Sequence, residues 1–286
     1  MKKTKDEFRR ILNSKNTVFH YTTAMTLFEH ILPTNKIRMS MSKNTNDPYE
    51  SNKYYFHGNF KNVELPGQNR ANLLGLLNNQ FDLIRRNFSK LLCLSKNTNK
   101  IEGYFKSRMW AQYGDNNKGV CLAFNKTNLI NALKNEIEVL NHKCITYVDI
   151  FNHEDYTFNI STKDLNNDPY QVAYKKFIEK LEIIFLKKLQ DFKDEDEYRI
   201  IGFNKSEQDE DLEYKDSLIA IIVGDRFPDG LLPSLQFFCK NKNIPSFKCY
   251  WNKNIRILAD CYPNNIHLQY ENEYKELKFK DLNYML

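Results

Sequence analysis

Several short stretches of this 286-residue chain carry side chains that could do chemistry. His20-Tyr21-Thr22 sets an imidazole, a phenol and a hydroxyl side by side, and Asn46-Asp47, before Pro48, is a polar turn. Met109-Trp110-Ala111-Gln112-Tyr113-Gly114 reads as one helical turn with a glycine cap, which sets Trp110 and Tyr113 on one face. Lys193 to Arg199 (KDEDEYR) brings Glu195 and Glu197 close to the guanidinium of Arg199. A His/Tyr pair at a strand end beside a polar turn could wall a small polar ligand. On these residues alone His20 reads as a satisfied core histidine and Tyr21 as packing, and Trp110 and Tyr113 fit a core as well as a ligand platform. Asp47, Glu50 and Glu197 lack the spacing of a ligand set, so no metal is expected. There is no GxGxxG, P-loop lysine motif, HExxH or GxSxG.

The elements that must hold these residues follow from periodicity. His20 ends a short strand. Met25, Leu27, Phe28, Ile31 and Leu32 then make a helix capped by Thr22 or Thr23 and stopped at Pro33, and Ile37, Met39 and Met41 alternate as a strand. Thr4 to Glu7 is a capping box for an N-terminal helix. Leu73, Leu77, Phe81, Ile84 and Phe88 predict a core-facing helix over about 71–88. LLCLS (91–95), GVCLAF (119–124), ITYVDI (145–150), a run beginning near Glu197, LIAIIV (218–223), 246–251 and 255–258 read as strands. Asp168-Pro169 starts a helix whose apolar face runs through about Gln190. The stretches 54–67, 152–167 and the acidic run 207–213 read as polar connectors. Strands and helices do not alternate regularly, so the expected class is α+β in a single domain over 1–286, with an N-terminal helix in 1–16 and a C-terminal extension at 259–286.

The net charge of +6 is spread along the chain, which permits a polyanionic partner without arguing for one. The six cysteines form no CxxC pair, and those in LLCLS, GVCLAF and FKCYW read as small buried hydrophobes. That argues against a Cys/His hydrolase and for reduced thiols in a cytoplasm. The longest apolar run, Leu218 to Val223, is too short to span a membrane.

From about Val18 to Val223, HYT, NDPYE, MWAQYG, KGVCLAF and DEDEYRI occur in order. This set resembles an uncharacterised bacterial domain-of-unknown-function family whose members show HYT, NDPxE, MWxxY, GVCxxF and ExEYR. The N-terminal part is also similar to DarT-type DNA ADP-ribosyltransferase toxins, with a strand-end histidine, a threonine shortly after and a helix leading to a second strand. That resemblance implies a split, mixed β core gripping NAD, an aromatic residue on nicotinamide and a late glutamate on the nicotinamide ribose. The usual extended substrate loop is not evident, and Glu195 competes with Glu197 for the catalytic place.

Cleaving the nicotinamide–ribose bond passes through an oxocarbenium-like sugar, which a nearby carboxylate stabilises. The resemblance implies Glu197 and His20 as catalytic groups. It implies NAD contacts from His20, Tyr21, Thr22, Asn46, Asp47, Trp110, Tyr113, Glu195 and Arg199. Period-2 alternation favours Glu197 over Glu195: Tyr198 and Ile200 take one face as core residues, so Glu197 and Arg199 share the other. The implied function is ADP-ribosylation of a nucleic acid or protein by a bacterial toxin or phage-defence effector, with an antitoxin or a phage trigger as further partners. The alternatives are a catalytically inactive module sensing a nucleotide or phage protein, and an NAD glycohydrolase.

Overall fold

The computed structural model describes residues 5–45, 54–57, 70–161, 164, 167–252 and 255–261. In chain order its strands are β1 (Thr17–Thr22), β2 (Lys36–Met41), β3 (Tyr55–His57), β4 (Ser89–Lys96), β5 (Val120–Asn125), β6 (Glu138–Cys144) and β7 (Thr146–Val148). They continue with β8 (Thr157–Asn159), β9 (Lys187–Leu189), β10 (Glu197–Phe203), β11 (Glu210–Glu213), β12 (Leu218–Val223), β13 (Ser246–Asn252) and β14 (Ile255–Asp260). With helices such as Arg70–Leu83, Pro169–Glu179 and Leu232–Lys242, the class is α+β, as the sequence leads one to expect. The chain forms two compact units from interleaved segments: 1–35, 97–128 and 216–286 in the first, 36–96 and 129–215 in the second.

The first unit contains the mixed sheet β1-β5-β12-β13-β14, in which β12 and β13 run parallel and the other neighbours antiparallel. The apolar LIAIIV of β12 is covered on both faces, as a central strand of this composition must be. One face carries a core of Phe19, Tyr21, Trp110, Cys121, Ala123, Ile222 and Phe247. Between the turn Ser107–Gln112 and β5 the chain passes through three left-handed residues in succession, Asp115, Asn116 and Asn117 (φ 47°, 50° and 69°). Asp and Asn tolerate that region better than other side chains. The loop bonds to the end of β12: Gly224 N–H donates to Gly119 O (3.1 Å) and Arg226 N–H to Asn117 O (2.9 Å). Gly119 lies so close to the end of β1 that a Cβ there would sit 2.2 Å from the Thr22 carbonyl oxygen.

The second unit holds the antiparallel sheet β11-β2-β4-β10-β6 and two small parallel pairs, β3 with β8 and β7 with β9. Helices Arg70–Leu83 and Pro169–Glu179 close an aromatic core that includes Phe56, Phe81, Phe158, Phe177 and Phe203. Ile201 of β10 is buried in this core, to which the helix after Pro169 contributes Val172, Ala173 and Phe177.

Several expectations are corrected. The acidic run 207–213 is not all solvated loop: Glu210–Glu213 pairs with β2 as an edge strand, Leu212 turns inward and Asp211 takes the Arg38 fork (2.9 and 3.0 Å). The helix from Pro169 does not reach Gln190. It breaks at Lys180, whose ammonium binds the Glu154 and Thr157 carbonyls (both 2.7 Å), resumes over Leu181–Phe185 and yields to β9. The polar segments around 55 and 158 pair with each other as β3 and β8. The partly exposed β6, without an apolar run, gave no signal in sequence although it flanks β10. Cys93 is exposed, whereas Cys121 and Cys249 are buried as expected.

Gly119→Ala is expected to destabilise the protein by roughly 1–3 kcal/mol or more, since a backbone oxygen cannot move aside as a side chain can. Urea unfolding of the variant beside Gly75→Ala, where a Cβ meets nothing within 4 Å, checks this.

Candidate functional site

A buried, ion-paired cluster lies in the second unit, where β9 turns back into β10. β9 pairs with β7, anchored by Thr146 N–H on the Leu186 carbonyl (2.8 Å), and turns Lys188 inward. A 3-10 turn, Gln190–Glu195, follows, and Asp196 then adopts a left-handed conformation (φ 43°) that reverses the chain into β10. Ser95 Oγ holds the Glu195 carbonyl (2.8 Å) and Lys96 N–H holds that of Asp196 (3.1 Å), so the reversal is tied to β4.

This path gathers four charged side chains, none more than 7% exposed. Lys188 Nζ lies 2.9 Å from Glu195 Oε2 and 3.0 Å from Glu197 Oε2. Arg199, two residues along the same face of β10, meets Glu197 through Nε–Oε1 (2.6 Å) and Nη2–Oε2 (3.2 Å) and donates from Nη1 to the Phe185 carbonyl (2.9 Å). The exposed Cys93, opposite Arg199 in register, donates its thiol to Glu197. The Phe192 ring lies 4.8 Å from Lys188 Nζ. Burial alone would push the Glu197 carboxyl up, but Arg199 and Lys188 outweigh it and hold it at about 2, against an ordinary 4.5. Burial likewise would lower Lys188, and Glu197 and Glu195 outweigh it, so its ammonium is raised. The two carboxylates and two cations cancel.

The structure thus brings Glu195, Glu197 and Arg199 together, with Glu197 and Arg199 on one face of β10 as the alternation requires. Lys188 and Cys93 are members that sequence reading missed. Lys188 was hidden inside an apparent helix and Cys93 inside an apolar run; the lysine seven residues before Glu195 was the only available hint.

The other expected residues lie in the first unit. Tyr21 and Trp110 are core: their rings meet edge to face at 5.0 Å, Tyr21 Oη donates to Gly103 O (2.6 Å) and Trp110 Nε1 to Tyr104 O (2.8 Å). Their polar tips are satisfied and their faces packed, so neither offers a platform for nicotinamide. His20 and Thr22 lie on the face of β1 opposite Tyr21, so the three consecutive residues do not line one wall. Tyr113 is half-buried against the core containing Trp110. Asn46 and Asp47 lie outside the described residues.

Residues 109–200 match a family model described as a protein of unknown function (DUF2971). The chain is therefore similar to an uncharacterised family over a segment that runs from the Trp110 turn through the charged cluster. No curated protein and no solved structure matches the chain. Among the described residues no group of three His, Cys, Asp or Glu side chains could hold a metal ion, and no helix is long and apolar enough to cross a membrane.

Glu197→Gln leaves two buried cations facing one carboxylate, and breaking a buried pair costs about 3–5 kcal/mol. The change is therefore not the structurally silent one that its near-isosteric size suggests. Because the folded-state value of Glu197 is depressed, its contribution is present above pH 4.5 and is lost as pH falls towards 2. Denaturant titrations should show a wide gap between wild type and variant at pH 7 that narrows through this window. A gap of constant size would rule out the ionised carboxylate as its cause.

Proposed function

We propose that the chain is an NAD-dependent ADP-ribosyltransferase that modifies a nucleic acid or protein, acting in the cytoplasm as a bacterial toxin or phage-defence effector. The observation that supports this reading is Glu197: a buried carboxylate kept ionised at neutral pH, with a second carboxylate, Glu195, held beside it. An oxocarbenium-like ribose develops positive charge at C1′ as nicotinamide departs. A carboxylate accepting from the ribose 2′-OH stabilises that charge most in a water-poor setting. Arg199 keeps Glu197 in its acceptor form, and the macromolecular nucleophile then attacks C1′. With water as acceptor the same chemistry is NAD hydrolysis.

A second reading has its own observation. The Glu197 oxygens are already taken by Arg199, Lys188 and the Cys93 thiol, an arrangement suited to a structural ion cluster inside a module that senses a nucleotide or phage protein without catalysis.

Purified protein incubated with labelled NAD and whole-cell lysate separates these readings. Label in macromolecules, lost in Glu197→Gln at a temperature where that variant remains folded, is the expected result. Free labelled ADP-ribose instead identifies a glycohydrolase. Unchanged NAD overturns the enzymatic readings and leaves the sensing module. His20→Ala and Tyr113→Ala in the same assay test the ligand contacts that the resemblance implies for those residues.

A further inference from the structure

We propose that Lys188 is a positioning residue that fixes the separation of the Glu195–Glu197 carboxylate pair and offsets its charge. Its consequence for catalysis rests on the ADP-ribosyl-transfer reading; its consequence for the charge of the pair does not.

The geometry assigns the bridge between the two carboxylates to Lys188 rather than to Arg199. Arg199 spends Nε and Nη2 on the two oxygens of Glu197 and Nη1 on the Phe185 carbonyl. Lys188 instead places one compact ammonium between the two residues, 2.9 Å from Glu195 and 3.0 Å from Glu197. Those residues flank the left-handed Asp196, so the chain reversal that brings them together also brings like charges together. An ammonium serves such a pair well because it is a point charge with several freely directed donors. Lys188 is itself held from two sides, by β9 on β7 and by the Phe192 ring.

Other titratable groups face the cluster from the packed elements. Arg199 comes from β10, Cys93 from β4, and β7 supplies Tyr147, whose hydroxyl accepts the Glu197 N–H at 3.0 Å. Lys143 on β6, opposite Arg199 in register, is paired with Glu182. With Lys188 neutralised, Arg199 remains the only cation of the four-residue cluster against two carboxylates, and the cluster changes from neutral to singly negative. Two carboxylates confined together then titrate as a coupled pair and retain one proton to higher pH.

Lys188→Met removes the charge while keeping most of the side-chain volume. In wild type, thermal stability should be flat in its dependence on Glu197 above pH 4.5 and fall below it. In Lys188→Met the trend should invert, with the melting midpoint rising as pH falls from about 8 to 5 because the shared proton relieves the repulsion. Should Lys188→Met fail to fold at pH 7.5, it should fold near pH 5. The double variant Lys188→Met/Glu195→Gln, whose cluster is neutral again, should recover folding at pH 7.5. A melting profile for Lys188→Met that parallels wild type, or no rescue by Glu195→Gln, overturns the role.

Labelled-NAD turnover supplies the catalytic readout. The acid limb of the turnover profile should move up by at least about one pH unit in Lys188→Met. Inverted stability without turnover in wild type removes the ADP-ribosyl-transfer reading and leaves the role of Lys188 standing. Wild-type turnover with stability and acid limb both unmoved in the variant does the reverse.

Discussion

Lys188, Glu195, Glu197 and Arg199 can be buried together, none more than 7% exposed, because each lies within hydrogen-bond distance of an oppositely charged partner. That constraint shapes the surrounding backbone. The helix after Pro169 gives way to β9, which brings Lys188 inward, and Asp196 takes a left-handed conformation so that Glu195 can fold back on the same ammonium. The β4 side chains Ser95 and Cys93 then hold the Glu195 carbonyl and the Glu197 carboxylate. A buried cluster of this kind stabilises little compared with apolar packing, yet it is costly to break one partner at a time.

The first unit is organised by a different constraint, close backbone approach. Three left-handed residues carry the chain from the Trp110 turn into β5, and Gly119 and Gly224 admit carbonyl oxygens where no Cβ would fit. The indole closes against Gly114, where a Cβ would lie 2.7 Å from its ring. The aromatic side chain and the glycines of MWAQYGDNNKG thus form one packing device.

These arrangements bear directly on chemistry. A carboxylate neutralised by two cations projects a weak field, so in the proposed ADP-ribosyl transfer the ribose would gain from Glu197 only to the extent that a ligand displaces one of them or draws on the second carboxylate. Arg199 is fixed by its fork and by the Phe185 carbonyl, and Lys188 by its two carboxylates and the Phe192 ring. Cys93 is the exposed side chain of this group and marks the face of the cluster nearest solvent.

The sequence by itself determined the α+β class, the alternating β2, the helix after residue 70, and the pairing of Glu197 with Arg199 on one face of a strand. Each rests on local periodicity, which the neighbouring residues alone impose. Only the tertiary structure decided that Lys188 leaves an apparent helix, that the acidic 210–213 becomes an edge strand on Arg38 and β2, and that Cys93 faces outward. It also decided that Tyr21 and Trp110 belong to the core rather than to a ligand wall. In each case the deciding partner is distant in sequence: a carboxylate brought round by a chain reversal, a paired strand, or a carbonyl that satisfies a buried donor. The two units are interleaved from segments far apart in the chain, so no composition shift marked their boundary.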